Sequence, residues 1–396
     1  MGSRHTNPPL QQGKPSDLDA GRNVYEASEY LTEEGKRVSR IIPAESSAVC
    51  CIGSIGKCGF LMREGTTNQQ INSAIPKITP LYLYYYFQSE LFLNELRGKA
   101  SATTISIVNK TKMEQCSFPL APLAEQQRIV DRIESLFAKL DEAKEKAQKV
   151  VDGYDARRAA ILHKAFRGEL TAEWRKRAGR ANNEWVDTPL DEVCRSIFDG
   201  DHMPPPKSET GIPFLVISNV NTGHLSFEDT RFVPQEYYDG LSSTRKPEPG
   251  DVLYTLVGSY GIPVVVDDST PFCFQRHMAL LKPSKVNTYF LWYQLQSQEF
   301  YNKASAIATG TAQLTVPIKG LRKLSIRTPS DLEQSEVVRL LNELLMDEQA
   351  VKEIAEQTIE RMNTIKKSIL ARAFRGELGT YDPTDESAEE LLLRVL

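Results

Sequence analysis

A chain of 396 residues with 40% hydrophobic and 25% charged side chains has the balance of a soluble globular protein of two or three domains, and its apolar runs are far too short for a bilayer. No charged-then-apolar leader opens the sequence, so the expected location is the cytoplasm, with no membrane partner. The net charge of −4 excludes a uniformly basic nucleic-acid footprint, but the charge is unevenly placed. Residues 1–121 carry +2, 122–184 +3, 185–328 −2 and 329–396 −7, which leaves individual faces open to phosphate.

In chain order, residues 1–24 are rich in Pro, Gly and polar side chains. The glycine-punctuated Ile52-Gly53-Ser54-Ile55-Gly56 and the amide-rich Asn68-Gln69-Gln70-Ile71-Asn72 then mark a strand-rich module. Tyr82 to Phe87 has the spacing of an apolar helix and reads as core rather than as a base-stacking platform. From Ile129 the apolar positions Ile133, Leu136, Leu140, Ala143, Ala147, Val150, Tyr154, Ile161 and Ala165 step by four and three, with only Arg157 polar. This heptad seam predicts a long helix over 122–170, roughly 60 Å if about 42 residues run unbroken. Gly153 is its only mid-helix glycine, and Gly168 sits where a left-handed cap belongs.

The plan is then repeated. Ala165-Phe166-Arg167-Gly168-Glu169-Leu170 returns as Ala373-Phe374-Arg375-Gly376-Glu377-Leu378, an offset of 208 positions, and Glu125-Gln126 returns as Glu333-Gln334 at the same offset. Between these anchors a second seam runs through Val337, Leu341, Leu344, Glu348, Val351, Ala355, Thr358, Met362, Ile369 and Ala373, with Ile365 opposite Arg157. Val257-Gly258-Ser259-Tyr260-Gly261 and Gln275 to Leu280 repeat the first module's motifs at an offset of 205, and Phe290 to Ser297 repeats Tyr82 to Ser89 at 208. An indel of about three residues separates the blocks. Two recurring modules alternate with two long helices.

No phosphate loop, zinc-protease helix, nucleophile elbow or dinucleotide fingerprint is present. Asn7-Pro8-Pro9-Leu10 echoes an amino-methyltransferase motif but has Leu10 where a base-stacking aromatic is needed. Six cysteines show neither CxxC spacing nor a histidine cluster, so reduced thiols and no metal or cofactor are expected.

The chain resembles the specificity subunit of Type I restriction-modification systems. The likeness is carried by Cys51 to Lys57, Asn68 to Asn72, Pro119 to Val130, both Ala-Phe-Arg-Gly-Glu-Leu blocks, and Trp185-Val186 through Pro189-Leu190, and covers about Tyr25 to Leu396. It implies an α+β fold: two mixed α/β target-recognition domains separated by two long helices that form an antiparallel coiled coil with pseudo-twofold symmetry. The expected segments are a first recognition domain at 1–121, a first helix at 122–170, a linker at 171–184, a second recognition domain at 185–328, a second helix at 329–378 and an acidic tail at 379–396. The second module opens at Trp185, whose counterpart would precede residue 1, so the first is expected to lack its opening strand.

By this resemblance the chain is a non-catalytic subunit that reads an asymmetric bipartite site on double-stranded DNA, one half-site per domain. It docks two methyltransferase subunits and, in restricting complexes, restriction subunits. Rival readings are the recognition part of a fused restriction-methylation enzyme and a coiled-coil scaffold that binds only protein. Because Asn or Gln suits adenine and Arg or Lys suits guanine, the candidate DNA-contacting residues are Ser54, Lys57, Asn68, Gln69, Gln70, Asn72, Thr103 and Thr104 in the first module. In the second they are Ser259, Tyr260, Gln275, Arg276, His277, Thr309, Thr311 and Gln313. The glycines of both turns are equally explained by tight turns, and Gln70 and Gln275, read as counterparts, by loop bracing. Phe166, Arg167, Phe374 and Arg375 are the candidate partner-binding residues, since a cap explains the repeated glycine but not its neighbours.

Overall fold

A computed structural model describes residues 11–19, 22–101, 105–180, 184–200 and 205–395. The elements used below are, in chain order, β1 (Ser47–Cys50), β2 (Cys58–Leu61), β3 (Ile71–Ala74), α1 (Pro80–Phe87), α2 (Glu90–Gly98), α3 (Leu123–Asp152) and α4 (Tyr154–Phe166). They continue with β4 (Val186–Pro189), β5 (Cys194–Asp199), β6 (Val252–Thr255), β7 (Pro263–Val265), β8 (Met278–Pro283), α5 (Thr288–Leu295), α6 (Gln298–Ile307), β9 (Ser325–Thr328) and α7 (Asp331–Ala373). Compactness cuts this chain across its long helices, into one unit of residues 1–149 with 355–396 and another of 150–354.

In the second unit, β7, β6, β8 and β5 form one sheet in that order, and β4 pairs with β9. Successive strand residues face opposite ways, so Val252 and Tyr254 of β6 with Ala279 and Leu281 of β8 enter the cluster that holds Phe290 and Phe300. Leu253, Met278 and Leu280 enter a separate cluster with Leu215 and Phe272 on the other face. With both faces covered, these strands read as continuous apolar runs. The first unit repeats the arrangement with β2, β1 and β3, and Asn23–Val24 lies parallel to β2 at the edge.

Each unit also holds a small sheet in which a central strand pairs antiparallel on one side and parallel on the other. These centre on Gln11–Gly13 in the first unit and Ile212–Leu215 in the second. The polar opening of the chain therefore contributes strands to both sheets of the first unit. The modules differ at one edge. β8 carries β5 along its outer side, whereas among the described residues no strand pairs the corresponding side of β3.

The repeated Glu-Gln pair has a structural cause. Gln126 accepts the Thr79 N–H at 3.0 Å and donates to the Ala121 carbonyl at 2.7 Å, tying the start of α1 to the start of α3. Gln334 does the same between Asn287 N–H at 2.8 Å and the Pro329 carbonyl at 3.0 Å. Both side chains are buried, so truncation strands a donor and an acceptor away from water. Gln126→Ala should cost about 1–3 kcal/mol, read as a lower denaturant midpoint, while alanine at the exposed neighbour Gln127 should leave the midpoint unchanged.

The second Ala-Phe-Arg-Gly-Glu-Leu block folds into the first unit and the first block into the second. Phe374 packs on Tyr82 and Tyr86 at centroid distances of 5.2 and 5.4 Å, and Phe166 on Phe290 at 5.6 Å. Because Tyr82 and Phe290 are themselves counterparts at 208, the contact is one design used twice. Gly168 and Gly376 both take φ of 74°, the left-handed cap expected after each helix. Tyr82, Tyr84, Tyr85, Tyr86 and Phe87 are all buried, as the core reading of that run required.

The expected single first helix is interrupted: Gly153 separates α3 from α4, whereas α7 continues for 43 residues with Arg361 at the matching position. The lowered helix propensity of glycine acts where the seam alone predicted continuity. Inside each unit the long helices run in opposite senses. In the first, Lys366 stacks on Phe137 at 4.9 Å and pairs with Asp141, and Lys144 reaches Asn363 at 3.4 Å. In the second, Arg157 pairs with Glu348 at 2.7 Å, and Lys352 lies 4.8 Å from the Tyr154 ring. Arg157, the polar interruption of the first seam, thus meets the one acidic position of the second.

Candidate nucleic-acid interface

Three loops meet at one end of the main sheet in each unit, held by the same backbone bonds. In the first, Cys51 N–H donates to the Gln70 carbonyl at 2.7 Å, Val108 N–H to the Cys51 carbonyl at 2.8 Å and Gly53 N–H to the Ser106 carbonyl at 3.0 Å. In the second, Leu256 N–H donates to His277 at 2.7 Å, Val316 N–H to Leu256 at 2.8 Å and Gly258 N–H to Leu314 at 3.0 Å.

This register corrects one sequence pairing. Cys50 faces Ile71 and Thr255 faces Met278, so Gln70 lies opposite His277 and Asn68 opposite Gln275, an offset of 207 here. The side chains agree: Asn68 Nδ2 donates to Gln70 Oε1 at 3.3 Å, and Gln275 Nε2 lies 2.6 Å from His277 Nδ1. Two of the extra residues of the second module fall before this loop, which the identity of Gln70 and Gln275 had concealed.

Both turns need glycine. Gly56 and Gly261 have φ of 89° and 93°, and a Cβ on either would stand 2.5 Å from Leu93 Cδ2 or 2.9 Å from Tyr301 Cδ2. Gly261→Ala combines left-handed strain with that clash and should cost about 1–3 kcal/mol, measurable as a lower unfolding midpoint.

The structure brings Ser54 and Lys57 to the first turn, with Ser54 exposed and Lys57 ion-paired to Asp19. Asn68 and Gln70 brace each other, Gln69 is exposed, and Asn72 is half-buried on β3. Thr103 and Thr104 lie outside the described residues, as do Asn7 to Leu10. In the second module Ser259, Arg276, Thr309, Thr311 and Gln313 are exposed around the turn. Tyr260 stacks parallel on Tyr301 at 5.4 Å, its hydroxyl 2.9 Å from Ser305 Oγ. That hydroxyl contact, with Tyr301 behind it, lowers the Tyr260 phenol below its ordinary pKa. Burial, reinforced by the neighbouring Arg276 charge, holds His277 below the usual imidazole value, so the ring is neutral at pH 7.

The sequence missed Arg97. It lines a cavity of about 660 Å³ with Gly53, Ser54, Lys57 and Ser106, and its guanidinium has no partner among the described residues. On an amphipathic helix it reads as an ordinary solvated charge; only the fold of the turn against α2 brings it to the site.

The candidate partner residues divide. Phe166 and Phe374 are buried within their units, while Arg167 and Arg375 are exposed and paired with Glu169 and Glu377 at 2.9 and 2.7 Å. No helix among the described residues is long and apolar enough to cross a membrane.

Two α+β modules of one plan, each presenting polar loops at a sheet end and packed on stretches of long helix, define a duplicated recognition protein. Residues 16–151 and 182–361 match the Type I restriction modification DNA specificity domain, and the chain belongs to that family. It is 25% identical over 314 residues to the Type I restriction enzyme EcoKI specificity subunit of Escherichia coli strain K12. That match covers 75% of this chain but only 65% of the relative's length. Among solved structures, the chain is similar to the HsdS subunit from Thermoanaerobacter tengcongensis, with a TM-score of 0.65, 19% identity and coverage of 94% and 92% of the two chains. It is also similar to a chain from a study of complex assembly and conformational transition of the type I R-M system. There the TM-score is 0.71 at 18% identity, with 94% and 93% of the two chains covered. At these identities the structural likeness speaks for the fold.

Proposed function

We propose that this chain is the DNA-reading subunit of a Type I restriction-modification complex. It performs no catalysis itself. The modules at 1–121 and 185–328 each read one half of an asymmetric split target on double-stranded DNA. The helices at 122–170 and 329–378 form an antiparallel coiled coil that docks methyltransferase subunits and, in a restricting assembly, restriction subunits. The observation that carries this reading is the shared loop frame with unlike side chains: equal backbones hold equal positions, and unlike side chains there select unlike bases. Docking is supported by apolar side chains left exposed on α7 away from the seam, Met346 and Ile354 among them.

Protection footprinting of the complex purified with its methyltransferase tests the proposal. Two short protected tracts separated by a fixed gap are expected. Protection without sequence preference, or none, would leave the protein-only scaffold as the better description, and methyl transfer by this chain alone would refute the non-catalytic role.

A further inference from the structure

The two loop frames are equivalent in hydrogen bonding and in their left-handed glycines, Gly53 and Gly56 against Gly258 and Gly261. A shared frame cannot distinguish one half-site from another. Discrimination has to come from matched positions that face the same space and differ in chemistry. Three matched positions around the turn differ in chemistry, of which Ile55 and Arg97 line the first module's cavity. Ile55 corresponds to Tyr260 within the turn, Arg97 to Ser305 near the ends of α2 and α6, and Ile105 to Gln313 in the third loop.

Their environments differ in kind. In the second module the Ser305 hydroxyl is engaged, donating to the Tyr301 carbonyl at 2.8 Å and lying 2.9 Å from Tyr260 Oη. The exposed Gln313 amide overhangs the turn, with its Nε2 2.9 Å from where a Cβ on Gly258 would stand. In the first module Arg97 borders the open cavity with no counter-charge among the described residues, while Ile105 and Ile107 are exposed beside it. Lys57, the other cation at the cavity, is held by Asp19, and Lys112 is bonded to Ser101 Oγ and the Lys99 carbonyl. Arg97 is thus the cation available to a ligand there. An arginine is suited to the N7 and O6 acceptors of guanine, an exposed aliphatic side chain to the thymine methyl, and a glutamine to adenine.

We propose that residues 55, 97 and 105 in the first module and 260, 305 and 313 in the second set which bases each half-site contains, with Arg97 reading a guanine in the first. The assignment rests on the DNA-reading role of these loops. Arg97 contacts the base edge, and its counterpart Ser305 gives the second half-site no guanine at the matching place.

The test is selection from a randomised duplex library by the complex with its methyltransferase, comparing wild type with Arg97→Ala and with Ile55→Tyr/Arg97→Ser/Ile105→Gln. Wild type should select a split site with a guanine in its first half. Arg97→Ala should reduce discrimination at that base roughly 5- to 150-fold while leaving the second half-site and the salt dependence unchanged. The triple variant should alter the first half-site alone. Uniform weakening on all sequences with a salt slope lower by about one would make Arg97 a phosphate contact and overturn the assignment, as would an unchanged first half-site. A wild-type complex that selects no sequence at all would instead remove the DNA-reading role itself. Because Arg97 is exposed and has no side-chain partner among the described residues, Arg97→Ala should unfold at the wild-type midpoint, and that measurement separates lost reading from lost structure.

Discussion

Glu333→Ala should destabilise the second unit by about 3–5 kcal/mol, the range for removing one partner of a buried ion pair. Glu333 is 5% exposed at the start of α7, and its carboxylate gathers three donors: Thr171 Oγ1 at 2.6 Å, Trp185 Nε1 at 3.0 Å and Arg175 Nη1 at 2.5 Å. Arg175 is 7% exposed, and its other terminal nitrogen donates to the Gly168 carbonyl at 2.7 Å. Alanine would leave a guanidinium buried without a counter-charge and strand the indole N–H, which together exceed the loss of a single hydrogen bond. The first unit supplies an internal control. Glu125, the counterpart, is also buried but accepts from Thr380 Oγ1 at 3.2 Å, and among the described residues no buried arginine pairs with it. Glu125→Ala should therefore cost only about 0.5–1.5 kcal/mol. Hydrogen exchange, which reads each unit locally, should show protection lost mainly around Trp185 and α4 in the first variant. Equal losses for the two variants would contradict this account of the cluster.

The repeat made this anchor visible in sequence, since Glu-Gln recurs at 208, yet nothing in the sequence says why. The cause is long-range: Gln126 and Gln334 tie a module helix to a long helix, and Glu333 collects residues from 171 to 185. Periodicity reports only local burial. It predicted the core role of Tyr82 to Phe87 correctly but could not say that Phe374, nearly three hundred residues away, completes that cluster. The heptad pattern likewise ran through Gly153 undisturbed, because spacing does not say whether the backbone continues, and it overstated burial at Leu344 and Val351, which are exposed. The small sheets escaped notice for another reason: Gln11–Gly13 and Glu29–Tyr30 are too short to show alternation. At the candidate interface, residue identity misled where Gln70 and Gln275 were equated. Register, which depends on turn geometry, sets His277 opposite Gln70 instead.

Phe374→Ala should cost the first unit about 3–5 kcal/mol. The ring is 6% exposed, tilted against Tyr82 and edge-on to Tyr86, in a cluster that also holds Leu370, Ala373, Ile129 and Ile133. Removing it opens a cavity bounded by rigid aromatic rings and two long helices, which cannot collapse to fill it. Arg375 next to it is a different case. Its guanidinium is exposed and, among the described residues, pairs with Glu377 alone, at 2.7 and 2.9 Å, an arrangement that contributes little to stability. Arg375→Ala should leave the unfolding midpoint within about 0.5 kcal/mol of wild type and, on the proposed docking role, weaken only association with the methyltransferase. The contrast bears directly on how docking can be tested. Deleting 329–378 would remove Leu370, Ala373 and Phe374 from the core of the first unit, so lost association would report unfolding and not a missing docking surface. Alanine at Arg375, with the midpoint measured alongside, separates the two. Unchanged association at an unchanged midpoint would mean that the methyltransferase does not use this end of the helix.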